Sequence, residues 1–258
     1  MKVETSWGTM SAIDQGEGPL VVLLHPLAQG AELWRPVIDR LSSQFRVVAP
    51  DARGHGDSSW NGEAFAITDL ADDVAALINQ LQAGPATVIA MSMGGCTAID
   101  LAVRHPELVS RLVLADTTSN YGPDKEQTWN ARAQTALDKP RAQQLTFQHD
   151  RWFSPSFLQS TPAEVARVSD VFLKTDSGVH AAACRALGAF DDSDRLSSIE
   201  AATLVVVGAE DYATPPSMAS VISENIPDSR LLVLPDTRHL SLLENPTIWP
   251  TILDFLGA

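Results

Sequence analysis

Short apolar runs alternate with longer amphipathic stretches along most of the chain. The apolar runs are nearly continuous, which is typical of strands buried on both faces of a parallel sheet. They lie at 20–24, 46–49, 86–91, 111–115, 203–207 and 230–234, and helical patterns lie at 31–42, 67–81, 94–105, 215–226 and 246–256. This alternation predicts the α/β class, with a doubly wound, mostly parallel sheet that carries helices on both faces.

The alternation stops once, between residues 118 and 196. This stretch has helix-like patterns and many aromatic residues but no convincing strand. A helical insertion at this point would lie over the carboxyl ends of the strands, where open α/β sheets bind their ligands. We therefore predict a core made of 1–117 and 197–258 and a helical cap made of 118–196.

Composition and charge narrow the class of partner. The chain has 258 residues and a net charge of −14, with its basic residues scattered. This charge argues against nucleic acid or an anionic membrane as partner, and it would repel anionic substrates unless an arginine lies in the pocket.

No apolar run reaches the length of a membrane span, and the start at 1–5 is strand-like, without a signal sequence. We expect a cytoplasmic protein; the oligomeric state stays open.

The two cysteines do not suggest a metal site or a disulfide framework. Cys96 and Cys184 are far apart in sequence, and neither belongs to a CxxC or Cys/His pattern. Buried free thiols are the expected state, and we predict no metal.

One apolar run ends at a serine and continues into a helical pattern. Ser92 follows the run 86–91, with Ala90 and Gly94 two positions to either side. This arrangement is typical of a nucleophile elbow, a sharp strand-to-helix turn that needs small residues at those positions. The match departs from GxSxG by one methyl group, at Ala90. The alternative is that Ser92 is an ordinary helix N-cap.

A serine nucleophile needs a base, and His239 is the best placed of six histidines. It follows the last apolar run, in a loop at the carboxyl end of a strand. The order serine, acid, histidine along the chain also fits the elbow. The other histidines have plain structural interpretations as turn, helix-end or surface residues: His25, His55, His105, His149 and His180.

The acid that orients this base is predicted to be Asp211, which follows the run 203–207 and precedes a helix that starts at prolines. Its loop lies next to that of His239 in a sheet wound in this order. The alternative for Asp211 is an Asx-turn or helix-entry residue. Asp116, after the run 111–115, is a rival for the role, whereas Glu210 should face away.

Backbone donors must stabilise the oxyanion that a serine attack produces. The amide of Met93, directly after Ser92, is one expected donor. The other should come from the loop after the first apolar run, where Pro26 has no N–H and Leu27 is the best candidate. The loop could equally be a simple strand-to-helix connection.

Together these residues resemble the α/β-hydrolase superfamily over essentially the whole chain. Within it, the chain is similar to the 3-oxoadipate enol-lactonase group. The similar segments are 51–58, 92–95, 116–122, 129–132, 151–154 and 208–216. The chain departs from the group at three places. Ala90 stands where glycine is usual, 25–27 stands where Asn-Ser-Leu or His-Gly is usual, and the stretch 178–185 matches only loosely.

The resemblance implies hydrolysis of a lactone or ester without metal or organic cofactor. An enol-lactone of this kind carries a free carboxylate, which a guanidinium can bind in a bidentate manner. Arg132 and Arg151, beside Trp129 and Trp152, are therefore candidate substrate-binding residues. They could instead lie on the exposed face of amphipathic helices.

Several functions remain compatible with these residues. The first is a serine hydrolase of the enol-lactonase type that acts on a small molecule. A general carboxylesterase, a carbon–carbon bond hydrolase or a cofactor-free perhydrolase would use a similar elbow. A non-catalytic ligand-binding protein on the same fold is the alternative from another class.

Overall fold

A computed structural model describes residues 1–257 and contains one eight-stranded sheet. Its strands are β1 (Lys2–Thr5), β2 (Gly8–Gln15), β3 (Leu20–Leu24), β4 (Arg46–Pro50), β5 (Ala86–Met91), β6 (Val109–Ala115), β7 (Ala202–Gly208) and β8 (Ser229–Leu234). They lie in the order β1-β2-β4-β3-β5-β6-β7-β8. All neighbouring pairs from β4 to β8 are parallel, and only the β1–β2 and β2–β4 pairs are antiparallel. The predicted α/β sheet is thus confirmed.

The six predicted strands are present, and their ends differ from the prediction by two residues at most. The sequence pattern missed β2. Its buried residues Met10 and Ala12 alternate with partly exposed ones, and it pairs antiparallel on both sides. A strand of this kind carries only a weak alternation, because one of its faces meets solvent.

Eleven α-helices surround the sheet in the described part of the chain. They are α1 (Arg35–Leu41), α2 (Ile67–Leu81), α3 (Met93–Arg104), α4 (Lys125–Asp138), α5 (Arg141–Trp152), α6 (Pro155–Ser160), α7 (Pro162–Lys174), α8 (Ser177–Ala189), α9 (Pro216–Asn225), α10 (Ser241–Glu244) and α11 (Trp249–Leu256). The predicted helix at 31–42 consists of a 3-10 turn, Ala31–Trp34, followed by α1. The sequence pattern also missed the short helix α10.

Helices α4 to α8 all lie between β6 and β7, in the stretch predicted to be a helical insertion. Helices α4 and α8 pack closely at Gly188. A Cβ at this position would lie only 2.9 Å from Cβ of Trp129, so only glycine allows the two helices to approach this far. Several hydrogen bonds join the insertion to the sheet loops, and two of them lie close to the strand ends. The Leu240 N–H donates to the Trp152 carbonyl at 3.1 Å, and the Thr175 hydroxyl donates to the Ala28 carbonyl at 3.0 Å. The insertion therefore contacts the loops that follow β3 and β8.

The central strands are buried on both faces, as predicted, but β8 is not. Of its six residues, three are partly exposed, two are exposed and only Leu234 is buried. Val233 in β8 is 47% exposed. The expectation failed here because β8 is an edge strand that pairs only with β7. Among the described helices, none is long and apolar enough to cross a membrane.

Candidate active site

The turn between β5 and α3 holds Ser92 in an unusual backbone conformation. Its φ is 56° and its ψ is −118°, a region that side-chain-bearing residues rarely adopt. The Ser92 N–H donates to the Ala115 carbonyl at 3.0 Å, and the Ser92 carbonyl accepts from the Thr117 hydroxyl at 2.8 Å. The Ser92 side chain makes no capping hydrogen bond to α3, although an ordinary N-cap would.

The two small residues that flank this turn are not equivalent. A Cβ at Gly94 would lie 2.3 Å from the Leu24 carbonyl oxygen, so only glycine fits there without a backbone shift. Ala90, in contrast, carries a completely buried methyl group inside β5. The structure thus accommodates the departure from glycine at position 90.

The loops after β7 and β8 lie against each other. The Glu210 N–H donates to the Thr237 carbonyl at 2.9 Å, and a Cβ at Gly208 would lie only 2.3 Å from that oxygen. This close contact brings Asp211 on one loop to His239 on the other. Both side chains are buried.

A continuous chain of short contacts links the serine, histidine and aspartate. Nε2 of His239 lies 2.9 Å from the Ser92 hydroxyl oxygen, and Nδ1 of His239 lies 2.8 Å from Oδ2 of Asp211. The structure therefore brings together the three residues that the sequence selected. In this arrangement the histidine can accept the serine proton while the carboxylate faces its other nitrogen.

Hydrogen bonds hold Asp211 in its ionised form. Burial alone would raise its pKa, but the facing His239 and the donors of Thr214 outweigh burial and keep the pKa below its usual value. Oδ1 of Asp211 accepts from the N–H groups of Ala213 and Thr214 at 2.7 and 3.1 Å. The Thr214 hydroxyl donates to Oδ2 at 2.9 Å.

The two rival carboxylates make other contacts. Asp116 is buried, and its oxygens accept from the N–H groups of Gly208 and Ser241 at 3.1 and 2.8 Å. Burial, followed by repulsion from Asp211, raises its pKa well above the usual value. Glu210 is exposed and lies 3.8 Å from the Arg238 guanidinium. Neither is the hydrogen-bond partner of His239.

Three of the other histidines are held by groups that lie outside this chain of contacts. Nε2 of His25 accepts from the Ala52 N–H at 3.0 Å, so it fixes the loop after β3. His105 lies 3.0 Å from Asp72, and His149 lies 2.7 Å from the Ser169 hydroxyl. These contacts agree with the structural interpretations given to them.

Two backbone amides beside Ser92 are not used within the protein. Across residues 1–257, neither the Leu27 N–H nor the Met93 N–H has a protein acceptor. Met93 is the first residue of α3, where a helix leaves its N–H groups without partners. Leu27 lines the cavity at Ser92. Both amides are thus available to an incoming oxygen atom.

Ser92 opens into a narrow cavity of about 20 Å³ that adjoins a larger one of about 620 Å³. Leu27, Trp152, Thr214 and His239 line only the narrow cavity. The lining residues common to both cavities all come from the helical insertion: Tyr121, Trp129, Arg132, Gln148, Arg151 and His180. Within the described residues, no cluster of three or more His, Cys, Asp or Glu side chains could hold a metal.

Arg132 and Arg151 both line this pair of cavities, and neither is paired. Among residues 1–257, no carboxylate lies within ion-pair distance of either guanidinium, and neither donates a hydrogen bond. Burial, followed by the neighbouring charge of Arg132, lowers the pKa of Arg151 to about 9. Burial also lowers the pKa of Arg132. Two cations that are partly removed from water without a counter-ion can attract an anion.

The predicted tryptophans are both at the site, and both are buried. The Trp129 ring lies edge-on to Tyr121, with the Arg132 guanidinium 4.9 Å from its centre. Trp152 lines the narrow cavity and packs edge-on against Phe172.

Sequence reasoning missed Tyr121, Gln148, His180 and Thr214 as lining residues. Thr214 follows Asp211 closely enough that its hydroxyl could have been expected there. The other three gave no such signal, because the packing of the insertion alone decides which of its side chains face Ser92.

Comparisons with known proteins identify the family of this chain. The family model of the alpha/beta hydrolase fold matches residues 19–246. A 3-oxoadipate enol-lactonase of Acinetobacter baylyi is 31% identical over 90% of this chain and 86% of the relative. The crystal structure of the enol-lactonase from Burkholderia xenovorans LB400 has a TM-score of 0.91 at 30% identity, covering 97% of each chain.

A thermophilic esterase from Thermogutta terrifontis, with malate bound, has a TM-score of 0.92 at 26% identity and covers 100% of this chain and 98% of that one. The similarity thus extends over nearly the full length of two enol-lactonases and one esterase. On the family match and these relatives, the chain belongs to the α/β-hydrolase family.

Proposed function

We propose that this protein is a serine hydrolase that cleaves a small, carboxylate-bearing lactone or ester, with an enol-lactone of the 3-oxoadipate type as the best-fitting substrate. The observation that carries the proposal is the pair of unpaired guanidiniums, Arg132 and Arg151, in the cavities that adjoin Ser92. A reactive serine and an anion-binding position within one pocket suit a substrate that has both an ester carbonyl and a carboxylate.

The first step follows from the chain of contacts at Ser92. His239 takes the hydroxyl proton through Nε2 as the serine oxygen attacks the ester carbonyl. The carboxylate of Asp211 stabilises the imidazolium that forms and fixes the orientation of the ring. The amides of Leu27 and Met93 donate to the oxyanion of the tetrahedral intermediate.

Collapse of that intermediate breaks the ring C–O bond of a lactone and leaves an acyl group on Ser92. The leaving oxygen receives the proton from His239, and an enol needs less help than an alcohol because it is more acidic. The same histidine then activates water, which releases the acid and restores Ser92. No step of this sequence calls on a cofactor.

The charge of the protein makes the arginines important for substrate choice. With a net charge of −14, most of the surface repels anions, so binding of a carboxylate depends on local cations. The relatives support this class, since two of them are enol-lactonases and the Thermogutta terrifontis esterase was solved with malate, a dicarboxylate, bound. We regard residues 118–196 as a cap that selects the substrate.

Labelling with a fluorophosphonate tests the nucleophile directly. The protein should gain the mass of one adduct, located at Ser92, and Ser92→Ala should gain none. Ser217→Ala, which changes an exposed serine on α9, is the matched control and should still be labelled. Labelling that persists in folded Ser92→Ala would contradict the serine mechanism, and complete absence of labelling in the native protein would favour a non-catalytic ligand-binding role.

A substrate pair tests the carboxylate. The kcat/KM for a carboxylate-bearing enol-lactone should exceed that for its methyl ester, because only the acid can bind the two arginines. A general carboxylesterase would prefer the neutral ester. A carbon–carbon bond hydrolase would cleave neither compound efficiently but would act on a β-diketone with a carboxylate.

A further inference from the structure

His180 on α8 has an unused hydrogen-bonding atom at the proposed active site. The residue is only 1% exposed, and it lines both the cavity at Ser92 and the larger cavity next to it. Its Nδ1 has a partner, whereas its Nε2 is buried and has none among residues 1–257. Burying a polar atom without a partner is unfavourable, so such an atom in a cavity is a candidate contact for a ligand atom.

A neighbouring arginine determines which nitrogen of His180 carries the proton. The Arg141 guanidinium donates to Nδ1 of His180 at 2.5 Å. A guanidinium has no acceptor atom, so Nδ1 must be the unprotonated nitrogen and Nε2 must carry the hydrogen. Arg141 is itself held in place, because it donates to the Phe172 carbonyl at 2.5 Å and stacks 3.6 Å from the centre of that ring.

Burial and the positive charge of Arg141 also keep His180 neutral. Both lower its pKa well below the usual value, with burial as the larger cause. His180 therefore differs from Arg132 and Arg151, which share its cavities. It offers one directional N–H group and no charge.

One protein atom could compete for this hydrogen. Nδ1 of His55 lies 3.0 Å from the Arg53 carbonyl, so the other nitrogen of His55 is an acceptor, and it too is buried without a partner. The two Nε2 atoms do not form a hydrogen bond with each other in the structure. His55 also does not line the cavity at Ser92, whereas His180 does.

We propose that His180 is a substrate-positioning residue whose Nε2–H donates to a carboxylate oxygen of the bound substrate, beside the two arginines. This inference rests on the proposed function. The two arginines attract the carboxylate of the substrate. His180 then selects the orientation of the carboxylate in which the ester carbonyl faces Ser92.

Kinetics of two variants separate positioning from structural support. His180→Phe removes the donor, and kcat/KM for the carboxylate-bearing enol-lactone should fall by about 10-fold to 100-fold, mainly through KM. His180→Gln keeps a neutral N–H donor and should recover most of this loss. The loss in His180→Phe should be much smaller for p-nitrophenyl acetate, which has no carboxylate, than for the enol-lactone. Equal losses in both variants, or an equal loss on p-nitrophenyl acetate, would overturn the proposal.

A binding measurement keeps this inference separate from the hydrolase activity. With ¹⁵N-labelled histidine in Ser92→Ala, long-range ¹H–¹⁵N spectra should show His180 protonated at Nε2, and glutarate should shift that nitrogen. The signal of His55 should stay unchanged. A His180 signal that does not respond to glutarate, or a proton on Nδ1, overturns the assignment. If glutarate shifts His180 but neither ester nor lactone is hydrolysed, the proposed function fails and the binding role stands.

Discussion

Glu244 and Ser154 join the loop of His239 to the helical insertion. Oε1 of Glu244 accepts from the Ser154 N–H at 2.8 Å, and Oε2 accepts from the Arg238 N–H at 2.8 Å. Ser154 lies between α5 and α6, and Arg238 directly precedes His239. Glu244 is only 8% exposed, and its bond to the Ser154 N–H is buried, whereas its bond to the Arg238 N–H is partly buried. One carboxylate therefore couples the position of the proposed base to the position of the insertion.

We expect Glu244→Gln to lower both stability and turnover. An amide presents only one acceptor oxygen, so one of the two N–H groups loses its partner at a cost of about 1–3 kcal/mol. The loop of His239 should then move more freely, which lowers kcat. Chemical denaturation and ester hydrolysis measure the two effects. Glu210→Gln, an exposed carboxylate on the neighbouring loop, is the control and should change stability by less than about 0.5 kcal/mol.

Two buried aspartates at adjacent strand ends should respond differently to the same substitution. Asp211→Asn removes the carboxylate that faces His239, and we expect kcat to fall by about 10⁴-fold with a small change in stability. Asp116→Asn instead turns one acceptor of a backbone N–H into a donor and should cost about 1–3 kcal/mol of folding free energy. The larger kcat loss at Asp116 would transfer the role of the acid to that residue.

The proposed carboxylate position predicts a selective loss of binding. In Arg132→Gln and Arg151→Gln, KM for the carboxylate-bearing enol-lactone should rise by about 10-fold or more, because each guanidinium forms a charge-assisted contact. KM for p-nitrophenyl acetate should stay nearly constant. Arg185→Gln alters an exposed arginine on α8 and should affect neither substrate. Parallel losses on both substrates would remove the support for a carboxylate.

The sequence predicted the sheet well because its central strands obey one simple rule. Strands β3 and β5 are buried along their whole length, so their residues, apart from Thr87, form the nearly continuous apolar runs that predict strands. The chain order of these strands placed Ser92, Asp211 and His239 at the same edge of the sheet. The approach of the last two also depends on Gly208, whose missing side chain lets the neighbouring loops touch.

The lining of the pocket was less predictable, for a physical reason. The amphipathic pattern of a helix shows which face is buried but not whether that face meets another helix or a cavity. His180 lies on an alanine-rich helix and Gln148 on a polar one, and both are buried at the cavity. Only the packing of α4, α5 and α8 against one another determines that they face Ser92.

Buried histidines outside the proposed chemistry should make stability depend on pH. Burial, together with the nearby charge of His25, lowers the pKa of His55 from 6.5 to about 3. Below pH 6.5 the unfolded chain therefore binds a proton at His55 that the folded protein does not bind. Stability rises with pH where the unfolded state holds more protons, so His55 makes the fold less stable as pH falls from about 7 towards 3.

A comparison of the native protein with His55→Asn isolates this contribution from the other titrating groups. Asparagine can still donate to the Arg53 carbonyl but takes up no proton. Between pH 7.5 and 5.5, the unfolding free energy of the native protein should fall by about 1.4 kcal/mol more than that of the variant. The unfolded chain takes up one extra proton below pH 6.5, and each pH unit below that value costs the folded state about 1.4 kcal/mol. Urea unfolding at several pH values measures the difference. If the unfolding free energies of the two proteins fell in parallel with pH, folded His55 would take up a proton as readily as the unfolded chain does. That result would contradict the lowered pKa of His55.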